Sequence, residues 1–146
     1  MPKCREVMTP DPVCCEPDDA VTRIAALMKK EDVGSVPVVE SLSSRRLVGI
    51  VTDRDLVTKV VAGGRAVEQA TARDAMTSNP ASCGEDDEVS EAMSLMAQRQ
   101  VRRMPVIDAQ GRVTGIIAQA DVATRIKSDT DTGQMVESIS EKPLHR

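Results

Sequence analysis

Apolar positions recur along this chain at two spacings. Val21, Ile24, Ala25, Leu27 and Met28 follow a helical interval, and Val89, Ala92, Met93, Leu95 and Met96 repeat it. Such spacing lines one face of a helix with apolar side chains. Asp18–Asp19 and Asp86–Asp87 stand just before the two runs, where a carboxylate is expected to cap free backbone N–H groups. Each run leads into a short apolar stretch, Val36–Val39 or Met104–Ile107, then a polar turn, then a second stretch, Leu47–Val51 or Val113–Ile117. The paired stretches predict a β-hairpin that is at least partly buried. Ahead of each helix, Val13–Cys15 and Ala81–Cys83 follow Asp-Pro and Asn-Pro, turn signals that open extended chain. A second helix is expected from Asp53 and from Gln119, and Gly63–Gly64 end the first of these. The predicted unit is β-α-β-β-α, written twice.

The two writings align. A shift of 68 positions lays REVMTPDPVCCEPDDAV (Arg5–Val21) on RDAMTSNPASCGEDDEV (Arg73–Val89), and VGSVPVV (Val33–Val39) on VRRMPVI (Val101–Ile107). The offset then drops to 66, and GIVTDRDL (Gly49–Leu56) falls on GIIAQADV (Gly115–Val122). The lost residues belong to the polar stretch ESLSSRR between Glu40 and Leu47, and loops are where insertions are tolerated. A solenoid needs at least about three units, so two copies predict a pair related by a pseudo-two-fold axis. Residues 1–67 form the first repeat and 68–128 the second, linked by RAVEQATA; residues 129–146 are a polar tail with a short helix expected around Gln134–Ile139.

Composition narrows the function. The net charge of −4 leaves no basic footprint for nucleic acid. No apolar run approaches the ~20 residues of a membrane span, and the N-terminus lacks a signal-peptide core, so a cytoplasmic protein is the expectation. Phe, Tyr and Trp are absent; a bound base would lie between aliphatic side chains. The one histidine, His145, argues against histidine-based catalysis and histidine-rich metal sites. No catalytic set and no metal site is expected. Cys4, Cys14, Cys15 and Cys83 contain no C-x-x-C pair, which argues against a zinc or thioredoxin-type motif. They are expected to be reduced, small buried hydrophobes. The adjacent Cys14–Cys15 leaves a redox role open, because neighbours on a strand point to opposite faces.

The paired MTxxP openings, the paired PV strand starts, and the endings G-I-V-T-x-x-D and G-I-I-x-x-x-D resemble the tandem CBS-domain family, the paired cystathionine-β-synthase domains also called a Bateman module. The resemblance covers roughly Arg5 to Lys127. It implies an α/β (α+β) fold of two β-α-β-β-α repeats packed through their sheets with pseudo-two-fold symmetry, and two clefts. It implies a free-standing, non-enzymatic module that needs no cofactor. Such a module binds an adenosine-containing regulatory ligand (AMP, ADP, ATP, NAD or S-adenosylmethionine), pairs into a homodimer and signals to a regulated protein. The alternatives are a redox-responsive partner regulator and a purely structural dimerisation module.

The doubled ending has a chemistry of its own. Thr52 and Asp55 lie where a strand passes into a helix, a place whose free N–H groups favour an anion. Asp55 can accept two hydrogen bonds from a ribose cis-diol, and Thr52 offers a hydroxyl to a phosphate. Equally, Thr52 or Asp53 can cap the helix while Asp55 complements its dipole. By the resemblance, cleft A joins Thr52 and Asp55 to Ala81, Ser82, Arg102, Arg103, Met104 and Pro105. Cleft B joins Asp121 to Val13, Cys14, Gly34, Ser35, Val36 and Pro37. Ala118 replaces the threonine in cleft B, and Gly34–Ser35 stand where cleft A has Arg102–Arg103. The arginine pair is expected to clamp phosphate, the competing role being a solvated charge pair. Arg54, Arg125 and Lys127 read equally as helpers or as surface charges. Met28, Met93 and Met96 are expected in the core.

Overall fold

The computed structural model describes residues 2–127; the expected tail helix around Gln134–Ile139 and His145 lie outside them. In chain order the elements are a helical turn α1 (Cys4–Val7), strand β1 (Thr9–Pro10), helix α2 (Val21–Glu31) and strands β2 (Ser35–Val39) and β3 (Leu47–Thr52). A short helix α3 (Asp53–Asp55) continues as a π-helical turn over Leu56–Val61, and a 3-10 turn covers Val67–Gln69. The second half has a helical turn α4 (Ala72–Ala75), strands β4 (Thr77–Ser78) and β5 (Cys83–Gly84), helix α5 (Val89–Arg99), strands β6 (Arg103–Ile107) and β7 (Val113–Ala118), and helix α6 (Gln119–Lys127). The mixed α/β plan predicted from the pattern is therefore present, with two sheets of order β2-β3-β4 and β1-β7-β6-β5.

These elements group into two compact units whose membership differs from the order of the repeats. One, the second-repeat unit, takes Ala81–Asp108 and the described residues from Thr114 on, together with those up to Asp11. The other, the first-repeat unit, takes Pro12–Pro80 and Ala109–Val113. The hydrogen bonds give the reason. Cys4 N–H donates to Asp87 O (2.9 Å), Arg5 N–H to Glu85 O (3.0 Å) and Val89 N–H to Pro2 O (3.0 Å). In the first-repeat unit, Ala72 N–H donates to Asp19 O (2.8 Å), Arg73 N–H to Pro17 O (2.9 Å) and Val21 N–H to Ala70 O (3.0 Å). The helical turn before each MTxxP motif thus packs on the repeat other than the one it opens. Arg45, at φ 58°, closes the first hairpin: its guanidinium donates to Val113 O and Pro12 O, each at 3.2 Å.

Each unit has its own apolar core. Ile24, Met28, Val36, Val38, Val51 and Val60 centre one, and Met96, Met104, Val106, Ile117 and Val122 the other. Met28 and Met96 are core residues and Met93 packs against the core, as the helical stripes predict. The helices α2 and α5 end alike, on Asp32 (φ 54°) and Gln100 (φ 56°) in the left-handed conformation.

The helix caps differ from expectation. Ala20 and Glu88 precede α2 and α5, neither with a side-chain cap. Asp19 and Asp87 instead close the turn before, accepting the N–H of Glu16 (2.8 Å) and Gly84 (2.7 Å). Asp18 and Asp86 reach outward to Arg73 (3.3 Å) and Arg5 (2.5 Å). The first expected strands shrink: Cys15 makes one parallel bridge to Val38, and the Ala81–Cys83 strand becomes Cys83–Gly84 beside Val106–Ile107. The turns α1 and α4 were not read from the pattern. For α4 a signal exists in T-A-R-D: Thr71 N–H donates to Asp74 Oδ2 at 2.9 Å, a capping box that holds the Asp74 carboxyl below its usual range.

The glycine of each doubled phrase answers to packing. Gly49 pairs with Ser78, and Gly115 with Pro10. A Cβ on Gly49 would stand 2.7 Å from Met76 Sδ and 3.0 Å from Thr77 O; one on Gly115 would overlap Met8 and stand 3.0 Å from Thr9 O. A methionine of the MT motif thus lies over a bare strand glycine in each unit. Gly115→Ala is expected to lower unfolding free energy by about 1–3 kcal/mol through overpacking. Gly84→Ala, whose Cβ would meet Asp87 at an ordinary 3.4 Å, should stay within about 0.5 kcal/mol. Urea unfolding of the two variants checks this, and equal effects would refute the packing role.

Candidate functional site

In the first-repeat unit, β3 delivers Thr52 to the start of α3. Its Oγ1 accepts the Asp55 N–H at 3.1 Å, and Asp55 Oδ2 accepts the Thr52 N–H at 2.9 Å. This reciprocal cap fixes both side chains without help from elsewhere in the chain. Asp53 N–H donates to Gly34 O at 3.0 Å, and Ser35 pairs with Thr52 across the β2–β3 ladder. Gly34, Ser35, Thr52 and Asp55 therefore stand side by side. Ser35 is buried at 7% exposure. Val36 and Pro37 continue β2 into the core, while Val13 and Cys14 run beside that strand, Cys15 N–H donating to Pro37 O at 3.0 Å.

Asp55 is enclosed, with 14% of its side chain exposed, and Lys59 Nζ lies 3.2 Å from its Oδ1. The same ammonium stands 3.5 Å from Met76 O and from Thr77 Oγ1. The carboxylate thus carries one backbone donor and one cation. A carboxylate has about four lone-pair sites, so acceptor capacity remains for a ligand donor.

In the second-repeat unit the corresponding junction is built with different side chains. Gln119 N–H donates to Arg102 O at 3.0 Å, the equivalent of the Asp53–Gly34 bond. Arg102 is exposed, Arg103 half-buried, and Met104 and Pro105 are buried. Ala81 packs against the core, Ser82 is half-buried beside it, and Asp121 sits half-buried in the first turn of α6. Ala118 has no hydroxyl, so the side-chain half of the cap made by Thr52 has no counterpart here.

The residues assigned to cleft A fall in both units: Thr52 and Asp55 in the first-repeat unit, Ala81, Ser82, Arg102, Arg103, Met104 and Pro105 in the second. Those of cleft B fall likewise, with Asp121 in the second-repeat unit and Val13, Cys14, Gly34, Ser35, Val36 and Pro37 in the first. Within one unit the structure brings Gly34–Ser35 to Thr52–Asp55, and Arg102 to the β7–α6 junction that leads to Asp121. Lys59 is the residue the sequence reading missed. Its i, i+4 spacing from Asp55 on a helix was the available signal. The side chains of Arg125 and Lys127 lie outside the described residues. Among the described residues no group of three or more His, Cys, Asp or Glu side chains is placed to hold a metal, and no helix is long and apolar enough to cross a membrane.

Two units, each with a strand-to-helix junction leading to an aspartate, make up a tandem repeat architecture. The CBS domain family model matches residues 4–62 and 72–128, and the chain belongs to that family. A relative, the uncharacterised protein YlbB of Bacillus subtilis (strain 168), is 39% identical over 141 residues, 97% of this chain and 93% of its own length. The crystal structure of Hypoxic Response Protein I with two coordinated zinc ions superposes with a TM-score of 0.76 at 31% identity, over 84% of this chain and 98% of that one. A protein of that name, Hypoxic response protein 1, belongs to Mycobacterium tuberculosis (strain H37Rv) and is 31% identical over 126 residues, 86% of each chain. The CBS domain pair of protein MJ0100, in complex with 5'-methylthioadenosine and S-adenosylmethionine, shares the fold with a TM-score of 0.78 at 21% identity, over 89% of this chain and 99% of that one.

The cap can be tested apart from any ligand. Thr52→Ala should cost about 1 kcal/mol of stability and Thr52→Ser well under half of that, measured by denaturant titration. Equal losses in the two variants would show that the hydroxyl does not hold the junction.

Proposed function

We propose that this CBS pair is a cytoplasmic regulatory module, a homodimer, that binds an adenosine-containing ligand and passes its occupancy to a partner protein. The observation that carries the reading is the Thr52–Asp55 box. It presents an enclosed carboxylate with spare acceptor capacity at the start of a helix, beside Gly34–Ser35. A ribose cis-diol offers two O–H donors to such a group, and each hydrogen bond to a charged partner contributes about 1.5–3 kcal/mol. A base would lie against aliphatic side chains, Met104 in one proposed site and Val36 in the other. The fold supports the ligand class, since the MJ0100 pair of the same architecture is described with two adenosine-containing molecules. No catalytic role is proposed.

Thr52, Asp55, Ala81, Ser82, Arg102, Arg103, Met104 and Pro105 are assigned to one ligand, and Asp121 with Val13, Cys14, Gly34, Ser35, Val36 and Pro37 to another. The first set holds the hydroxyls of Thr52 and Ser82 and two guanidinium groups; the second holds the Ser35 hydroxyl and no guanidinium group. The protein is net acidic, so a phosphate must find local cations. The first site should bind phosphorylated adenosine at least ten-fold more tightly, the equivalent of about 1.4 kcal/mol.

Calorimetry with AMP and ATP tests the assignment on Asp55→Asn, Arg103→Ala and Asp121→Asn, chosen to spare the backbone, with circular dichroism as the folding control. The tighter event should weaken at least ten-fold in the first two variants and persist in the third; the reverse pattern would overturn the assignment. Without aromatic residues the protein absorbs almost nothing at 280 nm. A 260 nm band in a nucleic-acid-free preparation would therefore be a bound nucleotide, which mass spectrometry of the heat-released material would name. No binding of AMP, ATP or S-adenosylmethionine at millimolar concentration would defeat the ligand-sensing reading.

A further inference from the structure

We propose that Cys4 and Cys83 form a dithiol site that a peroxide converts to a disulfide, locking the N-terminal turn α1 onto strand β5 of the second-repeat unit. The two residues are buried, Cys4 at 0% and Cys83 at 4% exposure, and belong to one apolar cluster with Val7, Val89, Met96 and Met104. They are brought together by a dense backbone frame. Cys4 N–H donates to Asp87 O and Arg5 N–H to Glu85 O. Asp87 in turn holds the Gly84 N–H through Oδ2 at 2.7 Å. Arg5 reaches Asp86 over the same turn.

Inside this frame the two thiols perturb each other's ionisation, and the Cys83 thiol donates to Pro105 O at 3.9 Å. Their interaction holds the Cys4 thiol below its ordinary pKa against the opposing effect of burial, and it pushes that of Cys83 up. Cys4, carried on the four-residue turn α1, is assigned as the thiol that meets the oxidant, and Cys83, on strand β5, as the resolving thiol.

The feature is specific to one unit. The repeat places Ala72 where Cys4 stands and Cys15 where Cys83 stands. Cys15 is left as a single buried thiol in the other unit, its pKa pushed up to about 12 mainly by burial. The same scaffold thus closes without a sulfur at position 72, so the second sulfur in the other unit is not a packing requirement. It also departs from the Cys14–Cys15 pair, the adjacent cysteines that the sequence alone brings to notice.

The chemistry balances with a peroxide as oxidant. Cys4 thiolate attacks one peroxide oxygen, the O–O bond breaks, and hydroxide leaves, taking up the thiol proton as water. The Cys4 sulfenic acid is then attacked by the Cys83 sulfur; the S–O bond breaks, the S–S bond forms and a second water leaves. Two thiols are oxidised by two electrons in all, and hydrogen peroxide is reduced to two waters. Access comes through local opening of α1, a single turn of four residues. A small-molecule dithiol reverses the reaction.

The test uses the full chain with Cys14→Ser, which removes the half-buried thiol. The protein is reduced, freed of reductant, exposed to hydrogen peroxide well below its melting temperature, alkylated after denaturation and digested without reduction. Expected is a Cys4–Cys83 linked peptide pair that dithiothreitol removes, forming faster as pH rises because the thiolate fraction grows. The oxidised form should melt several degrees higher than the reduced one, since the cross-link restricts the unfolded chain. Cys4→Ala, which copies the side chain at position 72, should fold and lose the peroxide-dependent shift. Recovery of Cys4 and Cys83 as free alkylated thiols, a link through Cys15 instead, or a peroxide-dependent shift that persists in Cys4→Ala would each overturn the proposal.

Discussion

A methionine laid on a bare strand glycine sets the layout of each unit. Met76 covers Gly49 and Met8 covers Gly115, and the close approach permits the next residues to pair in register, Thr77 with Ile50 and Thr9 with Ile116. Immediately after, the chain turns through a left-handed residue, Asp11 (φ 53°) or Asn79 (φ 48°). Asp and Asn visit that region at lower cost than most side chains. Their N–H groups donate to Thr114 O (3.0 Å) and Val48 O (3.2 Å). Strand, turn and covering segment are thereby fixed together. The strand ends a few residues further on, at Thr52 or Ala118, and so the start of the following helix, with its aspartate, inherits its position from the methionine contact.

Much of this was legible because the chain states it twice. The 68-residue offset and its fall to 66 located the hairpin loops, which run from Val39 to Leu47 in one copy and from Ile107 to Val113 in the other. Helical stripes placed Met28 and Met96 in the cores. What a single sequence cannot show is which copy's strand a short segment will pair with. The turns at Cys4–Val7 and Ala72–Ala75 stand at equivalent positions of the repeat, each with an arginine followed by an acidic residue. The choice is made by tertiary hydrogen bonds such as Cys4 N–H to Asp87 O, which leave no local periodicity. The aspartates before α2 and α5 were misread for a related reason. A carboxylate close to a helix start can serve the helix or the turn ahead of it; with Ala20 between Asp19 and Val21, the Asp19 carboxylate serves the turn, accepting the Glu16 N–H.

The candidate site was legible in its residue types and less so in their present partners. T-x-x-D at Thr52–Asp55 carries two meanings, a cap and a ligand carboxylate. The structure shows the cap directly through two hydrogen bonds of 2.9 and 3.1 Å. The two meanings are compatible, because capping uses one lone pair of one oxygen and holds the other oxygen in a set direction. Lys59 adds a condition that the motif alone does not carry. Any ligand that takes Asp55 Oδ1 meets an ammonium already there at 3.2 Å, and that ammonium also reaches Met76 O and Thr77 Oγ1 on the covering segment. Occupancy at Asp55 is thus in contact with the same β4 segment that supports the strand.

The differences between the repeats are chemical more than structural. Features that set the backbone occur twice: Met over Gly, Arg paired to Asp ahead of the long helix, the left-handed helix ends, and the N–H at position 53 or 119 closing on the carbonyl of 34 or 102. Three differences in charge, hydroxyl or thiol separate the repeats: Thr52 against Ala118, Arg102–Arg103 against Gly34–Ser35, and Cys4 against Ala72. None of these single features is needed to form its backbone, since the other unit forms the same backbone without it. Two nearly identical scaffolds of one chain therefore offer unlike surroundings to an anion and unlike responses to an oxidant. The asymmetry resides in a handful of side chains that are free to vary because the methionine–glycine contact and the shared turns already hold the fold.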